Sequence, residues 1–213
     1  MTGIRVVPAT PDRWKDVVEI LGGNGDKGCW CQAPRGFATS WGATPGVRRN
    51  LLKQQLGDDP PAGMLAYVDG EVAGWCGFGP RPKLPRLERS RTIPKVDDTP
   101  VWAILCFNIR TGFRRRGVAT ALLDGLIEYA RASGAPGLEA YPIDPEGGRV
   151  NTSFGYVGLT PWFEARGFRP VVETAATSDR RPRILMRLEF DRRTRPRRTA
   201  ASGTRTAASR RGR

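Results

Sequence analysis

The chain contains no histidine. That absence excludes Ser-His-Asp and Cys-His pairs, histidine-based zinc sites and any imidazole general base. Proton transfer falls instead to carboxylates, tyrosine, cysteine, the backbone or water. Cysteine is scarce as well. Cys29, Cys31, Cys76 and Cys106 form one C-x-C pair and two distant singles, a spacing that fits neither a zinc ribbon nor a redox C-x-x-C. Buried, inert thiols in a reducing compartment are expected, with no bound metal and no disulfide. No apolar run approaches the length of a bilayer span, and residues 1–14 lack the basic start and apolar stretch of a signal peptide. A cytoplasmic protein without a membrane partner is the expectation.

Acidic residues are also few: 21 Asp and Glu stand against 35 Lys and Arg, a net charge of +14. Much of the excess sits at one end. The segment from Asp191 onward holds nine arginines against one aspartate, eight of the fourteen net charges, and has no Val, Ile, Leu or aromatic residue. It cannot bury enough apolar surface to offset its ordering entropy. Residues 1–190 are therefore expected to form one domain and residues 191–213 a disordered Arg-rich tail, able to contact nucleic acid only non-specifically.

Within the domain the apolar pattern alternates between strand and helix. Ile4 to Val7 reads as a strand closed by Pro8. Thr10-Pro11-Asp12 starts a helix with Trp14, Val17, Val18 and Leu21 at helical spacing, stopped by Gly22 to Gly25. A segment rich in Gly and aromatics follows, then a helix over residues 45–56. Two strands flank Asp69-Gly70, a hairpin signal. Residues 80–98 read as a long loop. VWAILCFNI, residues 101–109, is the most apolar run and reads as a central buried strand. A helix over residues 117–132, capped by Gly134, carries Ala121, Leu122, Leu126, Ile127 and Tyr129 on its apolar face. A strand at 138–142 completes a right-handed parallel unit. A short helix at 159–166 and strands at 168–173 and 184–190 close the domain.

Chemistry concentrates at the junction of strand 101–109 with the helix after it. The first amides of a helix have no intrahelical partner and carry partial positive charge. Gly117 permits close backbone approach, Ala119 keeps the next turn open, and Arg114, Arg115 and Arg116 add charge. A pyrophosphate suits such a place. No GKS or GKT stands here, and no further glycines complete a dinucleotide fingerprint.

Arg114-x-x-Gly117-x-Ala119 resembles the (Gln/Arg)-x-x-Gly-x-(Gly/Ala) signature of the GNAT superfamily of N-acetyltransferases, between that family's fourth strand and its long helix. The resemblance extends over most of residues 3–190 and ends on Gly167-Phe168, similar to the family's closing "GF" element. It implies an α/β (α+β) fold: a mixed, mostly antiparallel sheet of six to seven strands, a parallel, splayed strand pair around the signature helix, and helices on both faces. It implies acetyl-CoA as co-substrate, with the pyrophosphate on the amides of Arg115 to Ala119. The cofactor-binding set is Phe107, Asn108, Ile109, Arg114, Arg115, Arg116, Gly117, Val118, Ala119 and Thr120. The backbone of Phe107 and Ile109 would pair with the pantetheine arm, and a bulge would splay that strand from its neighbour to seat the acyl group. An amine would attack the thioester directly.

Two positions depart from the family pattern. Phe163 stands where many members carry the tyrosine that protonates the leaving thiolate, and Ala103 where many carry a glutamate base. The candidate substitutes are Tyr141 and Tyr156 as acids and Glu139 as base, the last otherwise a surface carboxylate of a strand. Trp30, Trp41, Trp75 and Trp102 are candidates to line the acceptor site, or else to pack the core. Glu88, Asp97 and Asp98 are candidates to attract a cationic amine. The expected function is acetyl transfer from acetyl-CoA to a primary amine of a small molecule, with protein lysine as a variant acceptor. The alternative is a non-catalytic acyl-CoA-binding or nucleic-acid-associated module. A homodimer is compatible with the sequence.

Overall fold

The computed structural model describes residues 3–22, 28–37, 43–148, 150 and 155–191. Trp41 and the Arg-rich segment from 192 onward lie outside them. Seven strands form one sheet: β1 (Ile4–Pro8), β2 (Gly63–Val68), β3 (Glu71–Pro80), β4 (Trp102–Ile109), β5 (Gly137–Ala140), β6 (Arg169–Ser178) and β7 (Arg181–Glu189). Their order is β1-β2-β3-β4-β5-β7-β6. Every neighbouring pair is antiparallel except β4 and β5, which run parallel. This is the mixed sheet that the resemblance implies.

Alternation along the strands sorts side chains to two faces. Met64, Ala66 and Val68 of β2 pack on one side with α4 (Val118–Ala132), which contributes Val118, Leu122, Leu123, Leu126 and Ala130. Leu65 and Tyr67 face the other side, against Val17, Ile20 and Leu21 of α1 (Trp14–Gly22) and Leu52 of α2 (Pro45–Gln55). Each fully buried leucine contributes about 1.5–3 kcal/mol by leaving water. Phe163 is fully buried and packs edge-on against Phe168, with ring centroids 5.1 Å apart.

Some boundaries differ from the sequence reading. β5 stops at Ala140, not at 142: Pro142 cannot donate to a ladder, and Ile143 instead bridges to Leu159 and Arg183. β6 runs to Ser178, not 173, and turns into β7 through Asp179 and Arg180, both at positive φ (52° and 59°). No glycine marks that turn, so it left no signal. The 80–98 segment is ordered by a short helix, α3 (Pro85–Glu88), and by buried ion pairs described below.

Candidate active site

The parallel pair β4–β5 is joined only at Trp102↔Leu138 and Ala103↔Glu139. Beyond Ala103 the two strands part. The cause lies on the opposite edge of β4. Ile104 pairs with Phe78 and Cys106 with Gly77, so Leu105 is an extra residue in the ladder. Such a bulge bends its strand and sharpens the local twist. The wedge it opens is walled by Gly155–Val157 and α5 (Thr160–Glu164), tied to the end of β5 by Ile143 N–H to Gly158 O (3.0 Å) and Thr160 N–H to Ile143 O (3.1 Å).

At the far end of β4 the chain turns into α4. Gly117 is the N-cap, at φ +80°, a left-handed conformation that glycine adopts without strain. No side chain caps this helix, and the first helical bond runs from Ala121 N–H to Gly117 O (2.9 Å). The amides of Val118, Ala119 and Thr120 therefore precede the ladder and have no partner within the helix. Arg114, Arg115 and Arg116 are exposed around them. Arg114 donates to Ile109 O (3.2 Å), while Arg116 stacks on Phe113.

A cleft of about 820 Å³ connects these parts, lined by Phe107, Asn108 and Ile109 of β4, Arg114, Ala119 and Thr120 at the helix start, and Tyr156 and Trp162 opposite. Six of the ten residues assigned to co-substrate binding from sequence thus line one cleft. Trp162 joins them unforeseen; its ring packs edge-on against Phe107, centroids 4.9 Å apart. A second cleft of about 800 Å³ lies between the Pro85–Ile93 stretch and β4, with Leu105, Tyr141 and Arg183 in its wall. The two clefts share Cys29, Cys31, Cys106 and Tyr156. They meet there.

The residues at the meeting point are held by long-range contacts. Trp30 and Cys31 both adopt positive φ (45° and 54°), a conformation that side chains rarely accept. The surrounding segment is fixed by arginines whose side chains run inward. Arg48, with no exposed surface, donates to Gly28 O (3.1 Å), and Arg35 donates to Phe78 O (2.7 Å). Cys31 Sγ then lies 3.0 Å from Cys106 Sγ and accepts from Trp75 Nε1 (3.1 Å). Gly77 makes room for it: a Cβ there would stand 2.8 Å from the Cys31 sulfur. The bond to Cys106, with burial, pushes the Cys31 thiol well above its ordinary range. Burial, with the neighbouring Cys31, does the same for Cys76.

The three residues proposed from sequence for acid–base roles fall in two different surroundings. Glu139 is fully buried, not a surface carboxylate. Its Oε2 accepts from Arg81 Nη1 (2.7 Å) and from the Tyr141 hydroxyl (2.8 Å), and its Oε1 accepts from Arg187 Nε (3.2 Å). It lines neither cleft. Tyr141 is 3% exposed; burial and then the Glu139 charge push its phenol up. Tyr156 differs. It is 44% exposed, lines both clefts and makes no hydrogen bond among the described residues.

The same arginines order the 80–98 loop. Arg81 donates to Glu88 Oε1 (3.0 Å) and Pro94 O (3.1 Å), and Arg187 binds Asp97. Lys95 pairs with Asp98 at 2.7 Å. Glu88, Asp97 and Asp98 are therefore engaged with cations of the chain, and none of the three lines either cleft. Of the tryptophans proposed for the acceptor site, Trp30 lines the first cleft, while Trp75 and Trp102 pack in the core. Among the described residues no group of three or more Cys, Asp or Glu is placed to hold a metal ion, and no helix is long and apolar enough to cross a membrane.

Comparison with known proteins agrees with this geometry. A family model described as the acetyltransferase (GNAT) family matches residues 30–145, more than half of the chain. Among solved structures, one of an acetyltransferase superposes with a TM-score of 0.56 at 17% identity, covering 88% of this chain and 100% of that one. A GNAT acetyltransferase from Streptococcus pneumoniae gives 0.52 at 17% identity, over 89% and 100% of the two chains. One from Bacillus cereus gives 0.51 at 15% identity, over 89% and 99%. At such identities the likeness is one of fold. No curated protein matches the sequence. The signature turn at Gly117, the splayed β4–β5 pair and the family match together establish that the chain belongs to the GNAT family of acetyltransferases.

Proposed function

We propose that the protein transfers the acetyl group of acetyl-CoA to a primary amine of a small molecule by direct attack, without an acyl-enzyme. The observation that carries this reading is the meeting of two clefts at the point where β4 leaves β5. One cleft ends on the uncapped amides of α4, and the other opens beside Tyr141 and Arg183.

In this reading the pyrophosphate of acetyl-CoA lies on the amides at residues 115–120 with Arg114 beside it, a site for anions at a helix start. The pantetheine arm runs along β4, whose edge beyond Ala103 has no strand partner, and its amides bond Phe107 and Ile109 as an added strand would. The thioester then sits at the junction, where a β4 amide polarises its carbonyl. The amine nitrogen, arriving from the second cleft, forms the new C–N bond, and the C–S bond breaks as the tetrahedral adduct collapses.

Two protons must move. The thiolate receives one, and Tyr156 is the phenol with access to both clefts. The nitrogen must lose one. No Asp or Glu lines either cleft among the described residues, and the chain has no histidine. Water therefore takes the amine proton, and the reactive form is the neutral amine. The test is release of CoA from acetyl-CoA over a panel of primary amines at several pH values. The reading expects kcat/KM to rise about tenfold per pH unit below the amine's own pKa. Binding of acetyl-CoA without CoA release from any amine would favour a non-catalytic acyl-CoA-binding module instead.

A further inference from the structure

The charge of the second cleft runs against the usual expectation for a site that receives amines. Four arginines line it, Arg86, Arg89, Arg91 and Arg183, and no carboxylate does among the described residues. The nearest acidic side chains on the loop, Glu88, Asp97 and Asp98, are already bound to Arg81, Arg187 and Lys95.

Arg183 is the telling member. It enters from β7 and is half-buried. Its Nε donates to Tyr141 O (2.8 Å), and its guanidinium lies 6.0 Å from the centre of the Tyr141 ring. Among the described residues it forms no ion pair. Burial pulls it below the ordinary arginine value, the expected response of a cation that has lost water and gained no counter-charge. A guanidinium held by its Nε keeps its two terminal nitrogens for a planar anion, the fork that binds carboxylate or phosphate through two parallel bonds.

Resting on the acetyl-transfer reading above, we propose that the acceptor amine also bears an anionic group, a carboxylate or a phosphate, bound by Arg183 inside the second cleft. Arg86, Arg89 and Arg91 on the facing loop add a positive field that steers such a molecule inward. Polyamines and lysines within basic peptides are disfavoured by the same field, since a second positive charge would meet arginines on both sides. The anionic group also fixes orientation. With its negative end on Arg183, the amine end is left to reach the junction at Cys106 and Tyr156, both of which share this cleft.

The experiment measures two things on the full chain: CoA release from acetyl-CoA, and amine binding to the CoA-loaded protein by calorimetry. Matched pairs are γ-aminobutyrate against n-butylamine and phosphoethanolamine against ethanolamine, with spermidine as the cationic probe. The first pair reads carboxylate recognition and the second phosphate. The member that carries the carboxylate or phosphate, in at least one pair, should exceed its partner lacking it by about tenfold or more in kcat/KM, as expected for a charge-assisted pair. Arg183→Gln should erase that preference through KM while kcat is largely kept, and Arg183→Lys should restore part of it. Arg91→Gln, on the exposed rim, should weaken the preference without disturbing a buried contact, which covers the case in which Arg183→Gln folds poorly. Arg183-dependent binding of an anionic amine without CoA release would sink acetyl transfer to it but sustain the anion site. Equal or better use of spermidine or of the amines without an anionic group, absence of binding by the amines that carry one, or a preference unchanged in Arg183→Gln would overturn the inference.

Discussion

Cys31 and Cys106, 75 positions apart in sequence, bring their sulfurs within 3.0 Å at the point where the two clefts meet. A thiol at the centre of the proposed acyl-transfer site invites the idea of a covalent relay. The surroundings oppose it. Cys31 receives a hydrogen bond from Trp75, shares one with Cys106 and is buried, and its thiol is held well above its ordinary range. Among the described residues no arginine or lysine donates a hydrogen bond to either sulfur, and the buried Arg35, whose charge reaches both, spends its hydrogen bonds on backbone carbonyls.

Cys106→Ala should therefore keep kcat within a few-fold of the native value and lose modest stability from the vacated space. Initial-rate kinetics should show a ternary complex. Ping-pong behaviour, or acetyl-Cys106 recovered by mass spectrometry, would contradict direct transfer.

The two candidate phenols should separate cleanly. Tyr156→Phe should lower kcat by about a hundredfold or more, as expected for losing a positioned general acid. Tyr141→Phe removes a donor to Glu139 and an acceptor for Arg81 from a buried network. Its main cost should be stability, about 1–3 kcal/mol. Urea unfolding and steady-state rates on both variants check the assignment. The reverse pattern, with activity lost in Tyr141→Phe and kept in Tyr156→Phe, would move the acid to Tyr141.

The legible part of the molecule is what short windows of sequence encode. The apolar run 101–109, the small residues at 117 and 119, and the 3.6-residue spacing of Leu122 and Leu126 specify strand, turn and helix locally, and the first cleft follows from their junction. What was hidden depends on distant partners. Glu139 reads as a surface carboxylate because its cations, Arg81 and Arg187, lie 58 and 48 positions away. Trp162 carries no signal as a cleft residue until α5 is folded against Phe107. The positive lining of the second cleft was invisible because Arg183 and Arg86 come from opposite ends of the domain, and the loop carboxylates that seemed free are consumed within the chain.

The Glu139 network predicts a stability effect with a defined acid limit. Glu139→Gln leaves two buried guanidinium groups short of their charge and should cost about 3–5 kcal/mol in urea unfolding. Asp97, at the outer end of the same network, is pulled down to about 2, chiefly by its bond to Arg187. A depressed carboxyl stabilises the fold above its unfolded value of 3.8, and that contribution is lost as pH falls through about 2. Its carboxylate is 42% exposed, so solvent screening holds the contribution to about 1 kcal/mol or less. Melting temperatures of the native protein and Asp97→Asn should differ slightly at pH 7 and converge near pH 2. A gap that widens toward acid would show that the pairing is misassigned.

The most direct test of the account is acetyl-CoA binding measured by calorimetry on the native protein and on two variants of Gly117. This residue caps α4 at φ +80°, with only Ile4 Cδ1, at 3.8 Å, near the position a Cβ would take. Asparagine tolerates the left-handed conformation, so Gly117→Asn should fold and retain much of the affinity. Gly117→Glu sets a carboxylate against the uncapped amides that are assigned to the pyrophosphate. It should weaken acetyl-CoA binding by about a hundredfold or more, a loss of about 2.7 kcal/mol, while circular dichroism stays native. Affinity unchanged in Gly117→Glu would contradict the site, and with it the proposed route of acetyl transfer.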